Sequence, residues 1–276
     1  MTNIAQLLNE IASALRVIPC VDAVVLGGSW ARGTATDASD IDIGIYYGAQ
    51  APFDYVALNA VAQRFDDAQR PDIVTAPGGW GEWVNAGGWL TIAGQQVDFI
   101  LRDTQRVRAV IDACEAGNIS AHYQPGHPHA YINAMYMGEL AVSQLYWDER
   151  GEVRALKARA EVYPTALQTA LLGFYGFEAG FSSMFVRKYA HTTDRYYVAA
   201  HVVRAVSALN QVLFAHNRQY CINEKKAVAL IESFAHHPAD YQQRVNAIVA
   251  ALADDMSQAA TLLQALNDDV HALVTR

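Results

Sequence analysis

The residues with the clearest chemical potential lie in Leu26-Gly-Gly-Ser-Trp-Ala-Arg-Gly-Thr-Ala-Thr-Asp-Ala-Ser-Asp-Ile-Asp-Ile-Gly44. Gly27 and Gly28 permit close backbone approach, and a turn opening a helix aims N–H groups at an anion. Ser29 adds a hydroxyl donor for a phosphate oxygen, and Arg32 follows three residues later. Asp40 and Asp42 then flank Ile41 at the start of a β-branched run. Side chains at i and i+2 of a strand share a face, so the two carboxylates project together while Ile41 points to the core. Adjacent like charges repel unless a cation neutralises them. Magnesium is commonly held by one or two carboxylates plus substrate phosphates. A third acid, Asp98, is alone in the strand pattern Gln95-Gln-Val-Asp-Phe-Ile-Leu101. An acid in a half-buried strand needs a reason, and a second metal site or proton acceptance from an attacking hydroxyl supplies one. A surface ion pair of Asp98 with Arg102 or Arg106 is the plainer alternative.

Alternating elements must position these groups. Helical spacing runs over Ala5 to Leu15 and Phe53 to Phe65, and strands over Val21 to Leu26, Ile41 to Tyr47 and Asp72 to Thr75. A Gly- and Trp-rich stretch leads into a hairpin of Trp89 to Ile92 and Gln96 to Leu101, turned at Ala93-Gly94. Beyond Thr104 strand signals almost vanish. Helices are expected at 104–116, 130–145, 152–160, 165–189, 194–216, 225–235 and 239–273, the last broken. The expected architecture is α+β: a mixed sheet flanked by helices in residues 1–115, then an all-helical domain in 116–276.

Composition narrows the partners. The chain has 276 residues and a net charge of −8, with no basic run longer than a pair, which argues against a nucleic-acid backbone and for a small-molecule substrate. The N-terminal helix carries Glu10 and lacks a signal-peptide pattern. The apolar stretch from Leu171 to Phe185 is interrupted by glycines and Glu178, so no membrane span is expected. Three scattered cysteines, Cys20, Cys114 and Cys221, suit a reducing cytoplasm.

The pattern GGS–x–x–RG…SDIDI with a later strand aspartate resembles the DNA polymerase β-like nucleotidyltransferase superfamily. More narrowly it looks like its bacterial small-molecule branch, which includes aminoglycoside and lincosamide nucleotidyltransferases. The Gly/Trp segment before GQQVDFILRD, then GHPHAYIN and VLFAHNRQYCINEKKAV, extend the resemblance over nearly the whole chain. It implies Asp40, Asp42 and Asp98 as catalytic ligands of Mg2+, with two ions. It also implies Gly28, Ser29, Arg32 and Ser39 at the nucleotide, with Lys225 reaching the triphosphate and ATP as donor. Lys225-Lys226 near a helix start would sit beside the positive dipole end, where a phosphate is favourable, though a solvated pair explains them equally.

Other groups bear on the acceptor. Asp194, Tyr197, His201 and Arg204 form one stripe of a helix, and Glu178 is a lone acid in an apolar stretch. Glu178, Asp194 and Tyr197 are the candidate acceptor contacts, and a hydroxyl compound bearing a cation is the acceptor they suit. A structural hydrogen bond and a wet helix face are the bland readings. Trp80, Trp83 and Trp89 read as core or lid, or as an aromatic surface against base or acceptor. His122, His127 and His129 lack metal-ligand spacing. Transfer to a tRNA or protein, and a non-catalytic nucleotide-binding module, are the rival functions.

Overall fold

The structure is a computed structural model and describes residues 4–275. The chain forms two compact units. The first comprises Met1–Asp112, Gln124–Gly126 and Tyr136–Val162; the second comprises Ala113–Tyr123, His127–Met135 and Tyr163–Arg276.

The first unit is built on a five-stranded mixed sheet. Its strands are β1 (Val21–Leu26), β2 (Ile41–Tyr47), β3 (Ala86–Ile92), β4 (Gln95–Asp103) and β7 (Gln144–Asp148), ordered β3-β4-β2-β1-β7. Only β2 and β4 run parallel; the other neighbours are antiparallel. One face presents Ile41, Ile43, Ile45, Val97, Phe99 and Leu101 to a core shared with Leu8, Ile11 and Leu15 of α1 (Ile4–Leu15) and Leu58 of α3 (Tyr55–Phe65). Alternation along β2 and β4 therefore sends Asp42, Gly44, Tyr46, Asp98, Ile100 and Arg102 to the opposite face. Burial of the apolar rows, at roughly 25 cal/mol per Å², offsets the cost of gathering polar groups on the other side.

Most expected elements form. The helices over 104–116, 152–160 and 165–189 appear as α4 (Thr104–Glu115), α6 (Glu152–Ala160) and α7 (Thr165–Tyr189). Two expectations need correction. No strand forms at Asp72 to Thr75: Asn59 of α3 takes the place of a strand neighbour, donating to the Val74 carbonyl (3.1 Å) and accepting from the Val74 N–H (2.9 Å). The expected helix 130–145 ends early, as α5 (Ala134–Val142), and the chain re-enters the sheet as β7 against β1. Residues 136–162 pack with the first unit.

In the second unit a short ladder joins β5 (Ala121–His122) and β6 (Tyr131–Ile132). Helix α7 pairs along its length with α8 (Arg195–His216), and α11 (Met256–Val274) packs on both, with α9 (Ala227–Ile231) and α10 (Tyr241–Asp254) completing the bundle. By length and composition α8 could cross a membrane, but 67% of its apolar stretch is buried, as suits a core helix.

The Asn59 clasp generates a prediction. Asn59→Ala leaves a buried N–H and a buried C=O of Val74 unpaired, costing about 2–4 kcal/mol. Chemical denaturation should show this loss, with faster amide exchange concentrated at Val74; unchanged exchange there would refute the clasp.

Candidate active site

The register of the sheet decides what the acids can do. Asp42 lies opposite Asp98 in the parallel β2–β4 ladder, so their carboxylates leave the same face from neighbouring strands. Asp40 immediately precedes β2. Burial, reinforced by the charges of Asp98, Glu139 and Asp40 and opposed by Arg32, pushes the Asp42 carboxyl up to about 6. Burial and the Asp40 charge raise Asp98 to about 6 as well. The alternative of Asp98 as an ion-pair partner of Arg102 or Arg106 finds no support, because Arg102 grips Glu139 (2.8 Å) and Arg106 reaches Glu82 (3.4 Å).

The glycine turn is fastened to these acids. The Gly27 N–H donates to the Asp42 carbonyl at 2.8 Å. Gly28 has φ +59°, and a Cβ there would overlap Asp42 Oδ2 and stand 2.7 Å from its Cγ. Glycine is required by both the left-handed backbone and the closeness of the carboxylate. The short helix α2 (Gly28–Ala31) follows, with Arg32 as its C-cap. The Ser29 carbonyl accepts from the Thr34 N–H at 3.0 Å, closing the turn beyond the helix. Ser39 accepts from the Thr36 N–H through its hydroxyl (2.9 Å), and its carbonyl accepts from the Gln95 side chain (2.9 Å). Ser39 thereby ties the loop before Asp40 to the start of β4.

Among the described residues no three His, Cys, Asp or Glu side chains converge as a ready-made metal centre. The donor chemistry nevertheless fits a divalent cation: Asp40, Asp42 and Asp98 are all-oxygen donors, and burial, with neighbouring acids, holds Asp42 and Asp98 at raised pKa. Glu139 of α5 is a contributor that the sequence reading missed. It chelates Arg102 through both oxygens (3.0 and 2.8 Å) while its charge reaches Asp42. A lone acid in the apolar run of α5 was the available signal, the same one that marked Asp98.

The remaining expected residues lie in the second unit. Glu178 pairs with Arg204 and accepts from Ser182 Oγ at 3.3 Å. Burial alone would raise its carboxyl, but the Arg204 hydrogen bond and charge outweigh that and lower it. Asp194 caps α8 by accepting from the Tyr197 N–H at 3.1 Å. Tyr197 packs edge-on against Tyr189 (5.2 Å) and His201 (4.6 Å). The exposed Lys225 donates its backbone N–H to Asn223 Oδ1 at 2.8 Å, ahead of α9.

These shifts fix the sign of a stability prediction. Asp42 binds its proton more tightly folded (about 6) than unfolded (3.8), so its contribution to stability declines as pH rises through that interval. Asp42→Asn should raise the melting temperature of the metal-free protein at pH 7, with the gain vanishing below about pH 4. Gly28→Ala should do the reverse, lowering it by displacing the Asp42 carboxylate. Thermal melts in a chelator at both pH values check the pair, and destabilisation by Asp42→Asn at pH 7 would overturn the account.

Residues 4–78 match the nucleotidyltransferase domain family, and residues 132–225 match a domain of unknown function (DUF4037). No curated protein matches. Among solved structures, the chain is similar to a nucleotidyltransferase-like protein from Exiguobacterium sibiricum 255-15, at 10% identity and a TM-score of 0.45, covering 99% of this chain and 75% of that one. The amino-terminal region is a nucleotidyltransferase domain of the DNA polymerase β-like superfamily, and nucleotidyl transfer is the general activity that it carries.

Proposed function

We propose that this protein is a cytoplasmic, Mg2+-dependent enzyme that moves AMP from ATP to a hydroxyl of a small molecule and releases pyrophosphate. The observation that carries the reading is the in-register pair Asp42–Asp98 beside the Gly28 turn. Such a pair is costly for folding and useful for holding cations on a triphosphate.

In this reading Gly28 and Ser29 receive the triphosphate, Arg32 supplies positive charge next to it, and Ser39 keeps the Asp40 loop in place. Asp40, Asp42 and Asp98 would hold two Mg2+ ions. Bound Mg2+ neutralises phosphate charge and acidifies the attacking hydroxyl. Asp98 accepts the hydroxyl proton at a carboxylate oxygen. The hydroxyl attacks the α-phosphate in line, forming the new P–O bond as the bond to pyrophosphate breaks. Within the second unit, Lys225 is the candidate phosphate-binding cation, and Glu178, Asp194 and Tyr197 are the candidate acceptor contacts. Because Arg204 already balances Glu178, a cationic acceptor there would have to compete with it. The net charge of −8 favours a small acceptor over tRNA.

Three measurements test this. Purified protein with Mg2+ and labelled NTPs, offered aminoglycosides, lincosamides, tRNA and cell extract, should label a small molecule; labelling of tRNA alone would reject the acceptor class. Asp42→Asn should abolish transfer with its fold intact, and substantial residual turnover would remove the metal assignment. Ser29→Ala should weaken Mg·ATP binding in calorimetry by roughly 1.5–3 kcal/mol, the value of a hydrogen bond to a charged group. Equal affinity in that variant, or in EDTA, would count against the phosphate turn.

A further inference from the structure

The row of side chains that contains the two acids continues to the sheet edge. Trp89 of β3 stands opposite Asp98, and Asp98 opposite Asp42. Directly paired residues share a face, so Trp89, Asp98 and Asp42 lie side by side on strands about 4.8 Å apart. Trp89 is 63% exposed, unusual for an indole in the middle of a strand. It is not loose. Trp80 stacks on it with ring centroids 4.7 Å apart and planes 21° apart. Trp80 in turn lies over Gly87, where a Cβ would overlap its ring. The main chain under both indoles is anchored: the Trp80 N–H donates to the Asn85 carbonyl (2.9 Å), Gln124 Nε2 to the Trp80 carbonyl (2.6 Å), and Arg70 Nη2 to the Trp89 carbonyl (2.9 Å).

Order along the row separates two ligands. The Gly28 turn abuts Asp42 on one side of the acids, and the indoles adjoin Asp98 on the other. Resting on the function proposed above, the triphosphate belongs to the Gly28 side and the attacking hydroxyl to Asp98. We propose that the Trp80–Trp89 stack is the platform for the acceptor, and that the acceptor carries its reactive hydroxyl on a ring whose apolar face lies on Trp89. An indole face attracts flat aromatic rings and the C–H face of sugar rings. A preset stack also binds a rigid ring at less entropic cost than an open chain, whose rotors must be frozen. Trp89 is then a residue that selects the acceptor, distinct in role from the acids that drive transfer.

The test uses the whole protein with Mg2+ and α-labelled ATP, offered methyl glucopyranoside and benzyl alcohol as ring-bearing acceptors and glycerol and ethylene glycol as open-chain ones. Wild type should label the ring compounds at lower concentration than the open-chain ones. Trp89→Ala should raise KM for the ring compounds about tenfold, while Trp89→Phe, which keeps a ring, restores most of it. Calorimetric affinity for Mg·ATP should stay within about twofold in both variants, since the stack lies away from the triphosphate. No ring preference in wild type, or an unchanged ring KM in Trp89→Ala, overturns the platform. Weakened Mg·ATP binding in Trp89→Ala also overturns it, by assigning the indole to the nucleobase. Wild type that fails to bind Mg·ATP at all would instead bring down the proposed function beneath it.

Discussion

The parallel pairing of β2 with β4 is the constraint on which the candidate site depends. It sets Asp42 beside Asp98 and commits two carboxylates to one face before any ligand arrives. Burial, reinforced by neighbouring acids, raises both carboxyls above their ordinary range. Ile41, Ile43, Val97 and Phe99, fully buried on the other face, keep the register from slipping, because a shift by one residue would exchange core and site. Gly28 fits against Asp42 only because it has no side chain, so the glycine turn inherits its position from the same ladder.

Around this pair the other charges are arranged to limit interference. Arg102, only 4% exposed, is held by Glu139 and by the Val84 carbonyl at 2.7 Å, which occupies its donors on the acid-bearing face. Breaking such a buried pair is far more costly than its net worth, since the surviving charge has no water to turn to. The helical unit uses similar devices. Glu178 with Arg204, and Tyr241 donating to Asn210 at 2.8 Å, fix how neighbouring helices are aligned where apolar contacts alone permit sliding.

What the sequence made legible was local. The GGS turn, the Asp-x-Asp at a strand start, the lone Asp98 and the long helical periodicities each announce themselves within a few residues. The α+β class followed from that alternation. What stayed hidden depended on partners distant in the chain. Val74 looks like strand but is paired by the side chain of Asn59. β7 is short, only five residues, and its docking on β1 makes it a strand. Glu178 and Asp194 read as unclaimed acids until Arg204 and the α8 N-terminus supplied their partners. The adjacency of Trp89 to Asp98 is a fact of register that no window of the sequence displays.

The late return of the chain as β7 has a consequence for synthesis. β1 is buried along its whole length, and one of its two hydrogen-bonding edges belongs to β7, more than a hundred residues downstream. Until Asp148 has left the ribosome tunnel, that edge of the nascent sheet presents unpaired backbone groups, the kind of surface that templates association between chains. The first unit therefore matures only after part of the second unit's sequence has been translated. A chain cut at residue 115 would carry the GGS turn and all three aspartates yet keep an open sheet edge, and would be prone to aggregate.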